Sequence, residues 1–345
     1  MTTVVTVTPN PALDQTVRVR NLALGDVNRA ESLEFNAGGK GVNVAGCLAD
    51  YGIATIATGL LGADDGAAFD AMFADKQIAD RFVRIAGRTR INVKLVDDAR
   101  GETTDINLAT SRPTAADVAA LERRIVELAA PGCWVVLAGS LPPGVDASFY
   151  RRATRALHDA GARVALDTSG APLADALAAG DPRELPDLVK PNLAELEAAL
   201  GRALAGDDAI VRAACELAAR GIAHVVVSLG AQGALGVAAE FGADVDANVA
   251  APRPTAYRIF RATPPRVPVA STVGAGDAFV AGLVASLTEA RAWGDAGRRA
   301  TAFAAAKLAR VGPHLPGRAA LDALAAQVEV DTFTLAAEAG GAVHS

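Results

Sequence analysis

Short β-rich runs alternate along most of this chain with stretches in which apolar residues recur every three or four positions. The runs at residues 4–8, 55–61, 134–138, 164–167, 188–190 and 224–229 predict central strands. Helical spacing follows at residues 42–51, 115–128, 149–159, 193–200, 209–220 and 277–290. Repetition of strand and helix predicts an α/β fold, with a mostly parallel sheet covered by helices on both faces.

Two sections break the rhythm, residues 14–35 and 89–108. In the second, Ile91-Asn92-Val93-Lys94-Leu95 and Thr104-Asp105-Ile106-Asn107-Leu108 alternate apolar with polar positions on either side of Gly101. That pattern predicts antiparallel strands with one covered face. Together the two sections predict a small β lid, placed to close over a substrate or to pair with a second subunit. Residues 247–267 are rich in Pro and Arg and predict a long surface excursion. Residues 331–345 predict a flexible tail, which leaves residues 1–330 as one domain.

Composition narrows the possible partners. With 345 residues of which 51% are hydrophobic, the chain has ample material for a large core. A formal net charge of −6 and no run of Lys or Arg argue against a nucleic-acid surface, which needs many cationic contacts to phosphate. The Ala-rich stretches carry a charge every few residues, so they predict amphipathic helices rather than membrane spans. The amino terminus has no basic region and reads as a strand rather than a signal peptide. Cys47, Cys133 and Cys215 are far apart and form no Cys-x-x-Cys pair, which predicts neither disulfides nor a zinc site and points to the cytoplasm. The four histidines are equally scattered, so no catalytic histidine is expected.

The chemistry concentrates in Ser271-Thr272-Val273-Gly274-Ala275-Gly276-Asp277, a glycine turn leading directly into an apolar-periodic helix. Glycines let successive amides and a helix amino terminus converge on one point, which would hold anionic oxygen. A carboxylate beside that point can orient or deprotonate an attacking hydroxyl. Alone, Gly-x-Gly-Asp also describes an ordinary helix start with a favourable first-turn charge. No Walker A pattern occurs, and the turn lacks the third glycine of a dinucleotide fingerprint.

In its longer context this segment resembles the carboxy-terminal signature of the ribokinase-like, or PfkB, carbohydrate kinases, with Ser271 in place of a frequent Asp. The resemblance implies Asp277 as catalytic base and Gly274, Ala275 and Gly276 as anion hole. Near the other end, Asn36-Ala37-Gly38-Gly39-Lys40-Gly41-Val42-Asn43 resembles the family's amino-terminal signature. Gly38 and Gly39 would let backbone approach a sugar, Asn43 can bind hydroxyls as donor and acceptor, and Lys40 supplies a point charge. Thr8-Pro9-Asn10-Pro11-Ala12-Leu13-Asp14 resembles the substrate loop and implies that Asp14 binds sugar hydroxyls.

Arg90, in Thr89-Arg90-Ile91-Asn92-Val93-Lys94, starts a lid strand, where a guanidinium could grip a phosphate bidentately. The resemblance assigns it, assisted by Lys40, to the substrate's non-reacting phosphate. Gly139-Ser140-Leu141-Pro142-Pro143-Gly144 resembles a further substrate loop and adds Ser140. On the nucleotide side, Lys190-Pro191-Asn192-Leu193-Ala194-Glu195 resembles the motif that organises magnesium and triphosphate, although Asn-x-x-Glu by itself is also a capping box. Asn192 is carried over as a nucleotide contact and Glu195 as a metal-site residue acting through water, with Asp167 a secondary candidate. Ser228, Gly230 and Gly233 resemble the nucleotide loop.

Over residues 1–330 the resemblance implies a ribokinase-like three-layer α/β/α domain with a β-sheet lid, ATP and Mg2+, and a homodimer formed through the lids. Its motifs are most similar to the branch that phosphorylates fructose 1-phosphate at the 6-hydroxyl. Kinases of fructose 6-phosphate or tagatose 6-phosphate would use nearly the same residues. The non-enzyme alternative is a sugar-phosphate-binding regulator without turnover, against which Asp277, the glycine turn and Glu195 all speak.

Overall fold

The computed structural model describes residues 3–108, 112–241, 253–310 and 312–337. Its main sheet runs in the order Glu329–Ala336, Ala256–Thr263, Ala234–Glu240, His224–Ser228, Leu188–Val189, Arg163–Asp167, Trp134–Ala138, Val4–Thr8, Thr55–Gly62, Ala79–Asp80, with Val83–Ile85 also paired to Thr55–Gly62. From His224–Ser228 to Ala79–Asp80 every pairing is parallel, and the three strands on the other side are antiparallel. Side chains alternate across each strand. Thus Trp134, Val136 and Ala138 pack into one core with the helices Lys40–Tyr51, Ala275–Thr288 and Trp293–Leu308. Val135 and Leu137 pack into another with Ala115–Leu128 and Phe149–Asp159. Both faces are therefore apolar, as the uninterrupted hydrophobic runs require.

Parallel strands deliver all their carboxyl ends to one edge, where ligands of open α/β sheets collect. The strand order reverses between Val4–Thr8 and Trp134–Ala138, opening a crevice that the Asn10 side-chain amide spans by donating to the Ser140 hydroxyl at 3.1 Å.

The lid is a separate four-stranded sheet in the order Ser32–Gly38, Ala12–Val19, Arg90–Asp97, Glu102–Asn107. Its outer pairs are antiparallel, but the central pair, Ala12–Val19 with Arg90–Asp97, is parallel. The two strands flanking Gly101 pair antiparallel, as their alternation predicts, whereas the direction of the central pair is something alternation does not address. The second strand arrives only after the chain has passed through the main sheet, and a long crossover permits the parallel direction that a hairpin forbids. Register puts Gln15, Phe35, Val93 and Ile106 in one row, with Val17, Leu33 and Leu95 in the next row of that face. The opposite face carries Asp14, Asn36, Asn92 and Asn107, then Thr16, Glu34, Lys94 and Asp105.

Two expectations fail at the antiparallel side. Within 247–267, residues 256–263 form a strand; residues 242–252 lie outside the described residues. Within the expected tail, residues 331–336 belong to the edge strand Glu329–Ala336, paired along its whole length with Ala256–Thr263. Residues 338–345 lie outside the described residues. An edge strand needs little apolar patterning, because backbone pairing rather than burial holds it, and here most of its side chains are exposed.

Candidate active site

The glycine turn sits where its sequence puts it. Gly274 is left-handed, with φ 77°, and caps the helix Ala275–Thr288. A Cβ at Gly274 would lie 3.0 Å from Lys307 Cε, so both backbone conformation and space favour glycine. The helix's own hydrogen bonding begins with Ala278 N–H donating to the Gly274 carbonyl. The amides of Ala275, Gly276 and Asp277 form the unbonded first turn, which is the anion-binding end of a helix.

Asp277 is only 7% exposed, and its Oδ2 accepts a 2.7 Å hydrogen bond from the Asn43 side-chain amide. Asn43 lies on the helix Lys40–Tyr51, so the two signatures, distant in sequence, meet at this bond. Burial first, and then the nearby charge of Asp167, push the Asp277 carboxyl up from 3.8 to about 6; Asn43, Lys40 and Lys190 pull the other way. A carboxylate poised there can take a proton from a hydroxyl near neutral pH.

Asp167 ends the strand Arg163–Asp167 and is 1% exposed. Its Oδ1 receives both Lys40 Nζ at 3.2 Å and Lys190 Nζ at 3.4 Å, while its buried Oδ2 has no hydrogen-bond partner. Lys190 follows the neighbouring parallel strand, so adjacency in the sheet brings it there. Burial favours loss of the Lys40 proton, but the charges of Asp167, Asp277 and Glu195 outweigh it and raise its pKa. Asp167 is therefore a central organiser of this charge cluster rather than a peripheral member.

Arg90 occupies a second corner. Its guanidinium donates to the carbonyls of Asn10 and Pro11, both at 3.3 Å, and to Asn92 Oδ1 at 3.2 Å. Asn92 in turn donates to Asp14 Oδ1 at 3.1 Å, and Lys94 Nζ lies 3.7 Å from Asp14 Oδ2. The backbone at Gly38 presses on Asp14 so closely that a Cβ there would come within 2.8 Å of its carboxyl carbon. Between this corner and the turn lies a cleft of about 390 Å³, lined on the lid side by Asp14, Asn36 and Lys94 and on the domain side by Asn43, residues 269–274 and Lys307.

Lys40 is drawn to Asp167 rather than to the side chains of the Arg90 corner. Lys40 opens a helix whose backbone rests near Thr8 and Pro11, and its side chain turns to the strand ends around Asp167 instead. Ser140 stays with Asn10 beside the Arg90 corner.

Of the residues expected on the nucleotide side, Asn192 and Glu195 form the reciprocal capping box, each side chain accepting the other's amide at 2.8 Å. An isolated bridge joins Asn192 to Ser228. Gly230 and Gly233 bracket the short turn Gly230–Gln232. Among the described residues no group of three or more His, Cys, Asp or Glu could hold a metal.

The family description "pfkB family carbohydrate kinase" matches residues 8–318. The chain belongs to this family. As a PfkB carbohydrate kinase it transfers phosphate from ATP, and the α/β domain with its small second sheet is the family's architecture. It is 44% identical over 331 residues to the 1-phosphofructokinase of Rhodobacter capsulatus, covering 96% of this chain and 98% of that protein. It is also 44% identical over 305 residues to the 1-phosphofructokinase of Xanthomonas campestris, covering 88% and 90%. Among solved structures, phosphofructokinase-2 from Escherichia coli in complex with fructose-6-phosphate superimposes with a TM-score of 0.81 at 29% identity, covering 94% of this chain and 99% of that one.

Sequence reasoning about this PfkB kinase missed Lys190 and Lys307 as site residues. A signal for each was present. Lys190 interrupts an apolar strand run, and Lys307 falls four residues after buried Phe303 on an Ala-rich helix; buried lysines are rare unless paired.

Proposed function

We propose that this PfkB kinase phosphorylates fructose 1-phosphate at its 6-hydroxyl, giving fructose 1,6-bisphosphate and ADP. The observation that carries the reading is the buried Asp277 carboxyl, raised to about 6 beside the first-turn amides, next to a glycine turn that lines one cleft with Asp14 and Lys94 of the Arg90 corner. The two relatives named 1-phosphofructokinase support the sugar assignment.

The sugar lies under the lid with its phosphate at Arg90 and its hydroxyls facing Asp14, Asn43 and Ser140. Asp277 accepts the proton of the 6-hydroxyl as that oxygen attacks the γ-phosphorus of ATP. The bond from phosphorus to the β,γ-bridging oxygen breaks and ADP leaves. The amides of Ala275, Gly276 and Asp277 hold the equatorial oxygens of the transferring group, and Lys40, fixed by Asp167, balances their charge. Asn192, Ser228, Gly230 and Gly233 form the nucleotide side.

Without a carboxylate cage, the site fits magnesium carried on the nucleotide and met through water, as small hard cations commonly are. Glu195, close enough to act on Lys40, and the unpartnered Oδ2 of Asp167 are the residues that would face its shell. When bound, the ion would neutralise the β- and γ-phosphates.

The test is kcat/KM for fructose 1-phosphate, fructose 6-phosphate and tagatose 6-phosphate with purified protein. Preference for the 1-phosphate is expected. Preference for fructose 6-phosphate, the ligand in the Escherichia coli phosphofructokinase-2 structure, would overturn the sugar but leave the chemistry.

We place the enzyme in the cytoplasm as a homodimer closed through the lids. Among the described residues no helix is long and apolar enough to cross a membrane. On the lid face away from the polar rows, Leu33 is 52% exposed, Phe35 50% and Ile106 49%, an apolar patch of the kind that marks an interface. The double variant Phe35→Asp, Ile106→Asp is expected to sediment as a monomer while the parent sediments as a dimer. A monomeric parent would remove the lid interface.

A further inference from the structure

Lys307 is a buried cation that the reaction as drawn does not use. It lies at the end of the helix Trp293–Leu308, 7% exposed, and its ammonium donates to the carbonyl of Gly312. The next residue, Leu308, accepts hydrogen bonds on its carbonyl from the amides of Ala270 at 2.7 Å and Ser271 at 3.2 Å. The segment leading into the glycine turn therefore hangs from the end of this helix. The side chain of Lys307 lies against the turn itself, since a Cβ on Gly274 would meet Cε at 3.0 Å.

The far side of Lys307 is tied down as well. Leu315 N–H donates to Asp50 Oδ2 at 2.7 Å, and Asp50 Oδ1 receives the buried Lys76 ammonium at 2.5 Å. Burial lowers the Lys307 pKa, opposed by Cys47, Asp277 and Asp50 and reinforced by Lys76. Burial pushes the Cys47 thiol up to about 12, so it stays neutral. Lys307 thus links two loops at the mouth of the cleft while both Asp277 and Asp50 lie within its field.

We infer that Lys307 is a positioning residue of the anion hole, acting through Gly274 and Gly312 to hold the first-turn amides in place and setting an ammonium beside them. It need not touch either substrate. Two of its features separate this role from packing. A packing role alone would be kept by an apolar chain of similar length, which fills the same space and gives up only the hydrogen bond to Gly312 and the charge. And a charge beside the hole matters most when negative charge builds on the transferring group, so its loss should appear in kcat rather than KM.

The inference rests on phosphoryl transfer at Asp277, not on which sugar is used. Lys307→Met and Lys307→Gln are compared with the parent, on whichever sugar phosphate the parent turns over fastest. Expected is a kcat loss of about 10²-fold with both KM values within about threefold of the parent. The Met variant, which leaves the Gly312 carbonyl unpaired, should melt only slightly lower than the parent, and in Lys307→Ala, whose shortened side chain leaves room, added methylamine should restore about tenfold of kcat by supplying an ammonium. If either variant folds and keeps the parental kcat, the inference is overturned. It is equally overturned if the loss follows a lowered melting temperature and methylamine leaves the kcat of Lys307→Ala unchanged. Should the Met variant fail to fold, the Gln variant carries the same comparison. A parent that prefers another sugar phosphate overturns the substrate reading alone.

Discussion

Asp277→Asn is expected to lower kcat by about 10³-fold while leaving both KM values within a few-fold of the parent, because general-base assistance is an interaction of the transition state. Asparagine keeps the shape and can still face Asn43, but it cannot accept the hydroxyl proton. In the parent, activity should fall as the pH drops below about 6, where Asp277 becomes protonated, and level off above it. Turnover by the variant at the parental rate would remove Asp277 from the reaction.

The same substitution has an opposite effect on stability, which makes it a double test. The folded-state pKa of Asp277 is raised, so its contribution is most favourable below about 3.8 and is lost as the pH rises through about 6. Above that, holding the buried charge costs roughly 3 kcal/mol at most. Asp277→Asn removes that cost. The inactive variant is therefore expected to unfold at higher temperature than the parent at pH 8, with the difference disappearing near pH 4. A variant less stable than the parent at pH 8 would mean that Asp277 is held there by attractions larger than its burial, and the raised pKa would be wrong.

Arg90→Met is expected to raise KM for the sugar phosphate about 10²-fold and to change kcat and the KM for ATP little, since it removes a grip on a group that does not react. A charge-assisted phosphate contact is worth roughly 3 kcal/mol, in keeping with that factor. Arg90→Lys should recover only part of the loss. The carbonyls of Asn10 and Pro11 and the Asn92 amide oxygen hold a planar fork in one orientation, which a flexible point charge does not reproduce. Equal loss of kcat and kcat/KM would instead place Arg90 at the transferring phosphate, and the substrate would have to be turned around.

The main sheet was legible because its central strands are covered on both sides, and continuous apolar runs have few other uses in a chain of this length. The edge strand Glu329–Ala336 was not, since its side chains face solvent and only its backbone pairing reveals it. The lid's alternating strands were readable one by one, yet alternation does not address the direction of the central pair, whose parallel course depends on the path of the intervening chain. Lys40 shows the same limit among charges. Its place in a glycine-rich signature marked it as a ligand-side cation, but its partner, Asp167, lies 127 residues away on another strand.

Asp277 divides along this line. Consecutive residues were enough to show a glycine turn leading into an apolar helix with an aspartate in its first turn, because turn-forming residues and helix periodicity are local properties. Its burial, its bond to Asn43 and the opposing charges of Asp167, Lys40 and Lys190 were decided only by the tertiary structure. Those groups come from separate strands and helices, and the energy of a charge depends on what surrounds it in space. A turn that binds an anion can be read along the chain, whereas a carboxylate tuned to act as a base exists only once distant segments have closed around it.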